Sequence, residues 1–180
     1  MDIARRVFRC RRGTVAIESA LIFPILVLFL LGMVEVSTYL EASRKAMAAT
    51  QTVADLVAQE TGQTTASLMT TRNAAKWVME PFADDDRTLG LTIASVGFDN
   101  KGDDPRVLWK FDTGTGGPTI NPATAKGLSD PLESVVVVRL QFTYHSPFNF
   151  LFSDIDLDEM AFARPRLDRR TTLNGKTEDP

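Results

Sequence analysis

The chain has 180 residues, 44% of them hydrophobic and 24% charged, which is enough for one modest domain with an appendage and too apolar for disorder throughout. A formal net charge of -3 hides a split, because Met1 to Arg12 carries Arg5, Arg6, Arg9, Arg11 and Arg12 against Asp2, leaving 15 of the 20 basic and 22 of the 23 acidic residues to the rest. A net positive excess confined to the first twelve residues argues against a nucleic-acid partner, which needs a basic face on the folded domain, and the lone Cys10 excludes an intramolecular disulfide framework or a thiolate zinc cluster.

Behind the basic run comes Gly13, then Thr14 to Val34, 21 residues with the single charge of Glu18. A helix of about 20 residues crosses a hydrocarbon core of about 30 Å, so the length suits a membrane span. Leu21 to Val34 contains 11 Leu, Ile, Phe or Val residues. At about -0.3 to -0.6 kcal/mol each they give roughly -3 to -7 kcal/mol, more than the roughly +2.5 to +3.5 of one central carboxylate. The five Arg then hold the start of the chain in the cytoplasm and place the residues beyond the span outside the inner membrane. A cleavable secretory signal is the rival reading. Its only small-x-small site, Ala46-Met47-Ala48, lies beyond Glu35, Glu41, Arg44 and Lys45, far from the apolar run. Glu18 admits two readings, a charge snorkelling to the headgroups near a helix N-terminus or an intramembrane acid awaiting a partner.

From Val34 to Glu60 the composition stays helical, with Ala42, Ala46, Ala49, Val53 and Leu56 forming an apolar stripe at spacings of three and four and Gly62 placed to stop the helix. Thr14 to Glu60 thus reads as one helix of about 70 Å with Pro24 as a gentle kink. Thr65 to Glu80 reads as a second helix with Leu68, Thr71, Ala75 and Val78 on one face and Pro81 as its stop. The period then changes to two. Leu91, Ile93, Val96 and Phe98 mark one strand; Val107, Trp109 and Phe111 a second; Val136, Val138, Leu140, Phe142 and Tyr144 a long third; Met160 and Phe162 a fourth. Gly- and Pro-rich connections make them antiparallel, and the polar tail after Asp168 reads as loose. The fold class is therefore α+β: a long N-terminal transmembrane helix running into an extracytoplasmic head with a second helix and an antiparallel sheet of about four strands.

Catalytic patterns are thin, and no catalytic, cofactor or metal site is expected. Gly114 to Gly117 lacks the lysine of a phosphate loop. His145 is the only histidine, so a nucleophilic triad would have to be built on it beside Ser146. Asp84-Asp85-Asp86 and Asp99, Asp103 and Asp104 do not follow calcium-loop order, and Asp154, Asp156, Asp158 and Glu159 read as an acidic strand edge.

Three stretches carry a family resemblance. Arg11-Arg12-Gly13-Thr14-Val15-Ala16-Ile17-Glu18 with the apolar helix and early Pro24 resembles a type IV prepilin processing site, and is closest to the TadE-like minor pilins, or pseudopilins, of the tight-adherence (Flp) pilus system. Gly32-Met33-Val34-Glu35 is similar to that family's Gly and acid at the end of the apolar stretch, and Val135 to Phe148 with Met160 to Arg166 to its closing strands; Ser19 stands where the family commonly has an aromatic. The resemblance implies a basic leader (1–13), a transmembrane helix (14–40), a pilin-like head (41–168) and a polar tail (169–180). It implies cleavage between Gly13 and Thr14 by a prepilin peptidase, with Glu18, residue five of the mature chain, as an assembly register that neutralises a neighbour's new ammonium. Partners would be the peptidase, other pilin and minor pilin subunits, the assembly platform and the membrane. The alternative is a signal-anchored periplasmic adaptor or tethered enzyme unrelated to pili.

Overall fold

The computed structural model describes residues 11–83, 89–113, 117–151 and 153–177. Arg5, Arg6, Arg9 and Cys10, the Asp84-Asp85-Asp86 run and Gly114 to Gly116 lie outside the described residues. Helix α1 (Arg11–Ala58) is continuous through Pro24, 48 residues and so about 72 Å long. It takes in Gly13 and ends two residues before Glu60. Gly62 is not its stop. The last carbonyls of α1 are met by partners from elsewhere in the chain, Val57 O by Gln63 Nε2 at 3.1 Å and Ala58 O by the Arg166 amide at 2.9 Å. Gly62 instead opens the two-residue strand β1 (Gly62–Gln63). Helix α2 (Thr65–Met79) starts on a reciprocal cap: Thr64 Oγ1 accepts from the Ser67 amide and Ser67 Oγ from the Thr64 amide, both at 3.0 Å. Its buried face is Leu68, Ala75 and Met79, with Thr71 and Val78 half-buried beside them.

Strands β2 (Leu89–Gly97), β3 (Arg106–Thr113), β4 (Ser134–Tyr144) and β5 (Ile155–Ala163) form an antiparallel sheet in the order β3-β2-β4-β5. The inner face packs on the helices. Val136, Val138, Leu140, Phe142 and Tyr144 of β4 are all buried in one cluster with Ala42, Ala46, Ala49, Val53 and Val57 of α1, where small helix residues allow close approach. On the outer face, Val96 and Phe98 join Val135 and Val137 in a second cluster, roofed by the connection from 117 to 133 with its 3-10 turn (Pro122–Ala125) through Ile120 and Ala125.

Three further expectations are corrected, and the faces of β5 are fixed. In β3 a bulge sets Ser95 opposite Trp109 but Val96 opposite Val107, so Leu108 is the extra residue; Leu108 and Trp109 enter the inner core and Val107 turns outward. Gly97 makes the room, since a Cβ there would stand 2.8 Å from the Leu108 side chain. In β5, Met160 and Phe162 pack on the outer cluster, while Leu157, Ala161 and Ala163 face the helices. On α1, Leu56 is exposed and Ala54 and Val57 are buried, because the helical repeat of 3.6 carries the stripe past position 56. Residues 169–177 are not loose. β6 (Thr172–Leu173) pairs in parallel with β1, Thr171 is buried, and the Trp109 indole donates to its carbonyl at 2.8 Å.

Candidate functional site

The head packs on α1 only from Gly32 onward, and the side chains from Val15 to Leu30 are exposed. Those exposed side chains are mostly Leu, Ile, Phe and Val, and an 18-residue window reaches a mean hydropathy of 2.4. A soluble protein rarely leaves so large an apolar surface bare. This half of α1 has the length and composition of a single membrane pass. Gly13 and Thr14 lie in its first turns, and Glu18 is exposed on it one helical turn beyond Thr14. Arg11 and Arg12 open the helix.

At the far end of the apolar segment stands Glu35, fully buried. Its carboxylate clasps the loop between β4 and β5. Oε1 accepts from Ser146 Oγ at 2.7 Å and from the Phe150 amide at 2.8 Å, and Oε2 accepts from the Leu151 amide at 2.6 Å. Ser146 Oγ in turn accepts from the Asn149 amide at 3.3 Å, and Asn149 takes a left-handed φ of 50° that turns the chain back to the helix. A buried carboxylate needs donors of this kind to offset lost hydration. One turn earlier, Gly32 lets the loop close on the helix: a Cβ there would lie 3.1 Å from Leu151 Cδ1. One turn later, Thr38 Oγ1 and the Tyr144 hydroxyl share a hydrogen bond of 2.7 Å, and the Tyr39 and Tyr144 rings meet edge to face at 5.8 Å. Gly32, Glu35, Tyr39, Ala42, Ala46 and Ala49 form one seam at spacings of three and four, joining span to head.

Beside the clasp, Ile25, Leu28, Phe29 and Met33 of α1 and Phe150 and Leu151 of the loop line an open apolar groove of about 680 Å³. Phe148, Phe150 and Leu151 are each about half exposed, so the head presents apolar side chains alongside the bare helix.

Residues 13–55 match the family model described as TadE-like protein. The TadE-like segment opens on Gly13, takes in Glu18, Gly32 and Glu35, and ends within three residues of the end of α1. It is consistent with a TadE-like pilin of the tight-adherence (Flp) system, and covers the helix but not the sheet that packs on it. No curated protein and no solved structure matches the chain. The closing strands that share in the resemblance thus lie outside the TadE-like match, although both β4 and β5 pack on it.

The remaining polar residues serve other ends. Ser146 Oγ is turned to Glu35, while His145 faces solvent with its Nδ1 2.9 Å from Asp154. On the outer face of β5, Asp156 meets Thr143 at 2.8 Å, and Asp158 takes bonds from Gln141 at 3.2 Å and Arg139 Nε at 2.8 Å. The Arg139 hydrogen bond holds the Asp158 carboxyl below its usual range, against the opposing effect of partial burial. Glu159, on the inner face of the same strand, is pushed up, first by desolvation and then by the Asp158 charge. Asp99 accepts from the amides of Asp103 and Lys101, a turn that lowers its pKa, the Asp103 bond first; Asp103 and Asp104 pair with Lys126 and Arg106. Among the described residues no three His, Cys, Asp or Glu side chains gather to hold a metal.

Proposed function

We propose that the chain is a TadE-like minor pilin, held in the inner membrane by the apolar half of α1 with its N-terminus cytoplasmic and its head periplasmic, and supporting assembly of an adhesive Flp-type pilus. A prepilin peptidase cuts between Gly13 and Thr14, with Arg5, Arg6, Arg9, Arg11 and Arg12 keeping the leader on the cytoplasmic side. The new ammonium of Thr14 is costly in low dielectric unless a carboxylate is near, and Glu18 of a neighbouring subunit supplies it, setting the register between helices. The observation that carries this reading is the bare apolar helix with its TadE-like match beginning at Gly13 and continuing unbroken into the core of the head. The same continuity speaks against a secretory cut after Ala48, which would sever the helix between buried Ala46 and Ala49.

Substitution of Glu18 tests the register. Glu18→Ala is expected to leave cleavage intact and abolish surface filaments, and Glu18→Asp to restore them in part. Normal piliation by Glu18→Ala would overturn the role given to the carboxylate.

A further inference from the structure

We infer that the loop from Ser146 to Leu151 is a membrane-entering foot that sits in the outer leaflet against α1, with phospholipid acyl chains filling the groove beside it. The inference rests on the reading of α1 as a span. Depth comes first. From Thr14 to Gly32 the helix rises about 27 Å, and to Glu35 about 32 Å, against a hydrocarbon core of about 30 Å. Leu151 touches the helix at Gly32, so the loop tip lies at the level where hydrocarbon gives way to headgroups. Any tilt of the helix lowers it further.

The loop's own chemistry suits that depth. Ser146 to Leu151 carries no charge, and Phe148, Phe150 and Leu151 point half their surface outward. Irregular backbone is excluded from lipid-exposed hydrocarbon, and each polar group paired within the protein lowers the cost of lying at the lipid boundary. Here the Phe150 and Leu151 amides bond to Glu35 and the Asn149 amide to Ser146. Glu35 is itself enclosed by these donors, which is what a carboxylate at that depth requires. The bare apolar surface of the loop is continuous with that of Ile25, Leu28 and Phe29, so whatever solvates the helix solvates the loop.

The test uses the full chain with Cys10→Ser, carrying single cysteines labelled with an environment-sensitive fluorophore and reconstituted in phosphatidylcholine and phosphatidylglycerol vesicles. Phe148→Cys and Phe150→Cys report the loop, Phe29→Cys the span, and Leu167→Cys, strongly exposed on the head, the aqueous side. The loop labels are expected to show a blue shift, quenching by lipids with a shallow nitroxide, and loss of quenching by iodide, with the Leu167 label showing the reverse. If the Phe29 label is quenched by lipid while both loop labels behave like Leu167, the foot is overturned and the span stands. Should the Phe29 label also stay aqueous, the span fails and the foot with it. Loop labels shielded from both quenchers, with the unlabelled cysteines oxidising to dimers, would overturn lipid as the occupant in favour of a second copy of this chain.

Discussion

Replacing Glu35 with alanine removes the acceptor that ties the β4–β5 loop to α1. The bonds from Ser146 Oγ, the Phe150 amide and the Leu151 amide go to the two carboxyl oxygens at 2.6 to 2.8 Å. Net of the exchange with water, bonds of this kind are worth about 0.5–1.5 kcal/mol apiece, or about 1.5–4.5 kcal/mol for the set. Ser146 Oγ can rotate to a new partner. The two amides cannot, and each costs about 1–3 kcal/mol while it stays buried without an acceptor. The net is about 3 kcal/mol, enough to raise the open population of the loop roughly a hundredfold. Hydrogen exchange on the full chain in micelles reads this directly: protection at Phe150 and Leu151 falls by about two decades, while that of central strands β2 and β4 holds. Glu35→Gln keeps one acceptor oxygen but turns an amide donor toward the other N–H, so its loss is smaller. Unchanged exchange at Phe150 and Leu151 in Glu35→Ala would refute the clasp.

Two further substitutions probe the head. Glu159 has its pKa raised in the fold, so the folded chain binds more protons than the unfolded one between the ordinary carboxyl value and the raised one. Stability therefore falls as pH climbs through that window, and Glu159→Gln is expected to be more stable than the parent at neutral pH and equal to it in acid, by urea titration of the full chain at both. Trp109→Phe keeps most of the core volume but loses the indole bond to Thr171 O. It should cost about 1 kcal/mol in thermal melts and bare 169–177 to proteolysis, whereas a melt equal to that of the parent would show that the bond does not hold the segment.

How much of the fold is legible in the sequence depends on how local the signal is. The inner face of strand β4 is read residue for residue because Val136, Val138, Leu140, Phe142 and Tyr144 recur every second residue, with Arg139, Gln141 and Thr143 between the later ones, while Val135 and Val137 fill a second core on the other face. The apolar segment of α1 is legible from composition alone, and its stripe of Ala42, Ala46, Ala49 and Val53 from spacing. β3 defeats alternation because one extra residue, Leu108, shifts every later side chain to the other face, and the Gly97 that permits it is on another strand. Continuing the stripe of α1 backward by four, three, four and three residues from Ala46 reaches Ala42, Tyr39, Glu35 and Gly32. Spacing thus offers a signal for the clasp, masked by the general rule that acids face water. Its partners carry no such signal, since two of them are backbone amides more than a hundred residues away. The order of the C-terminal segment is hidden for a related reason: Thr171 and Arg166 are polar, and what holds them is an indole, a helix-end carbonyl and a two-residue strand.

The mass of the mature N-terminus decides between a processed pilin and a permanently anchored periplasmic protein. Purified from its own membranes, the chain is expected to begin at Thr14, with Met1 to Gly13 removed. A chain that retains its leader, or one that begins after Ala48, would contradict the pilin reading and leave Glu18 without an ammonium to meet.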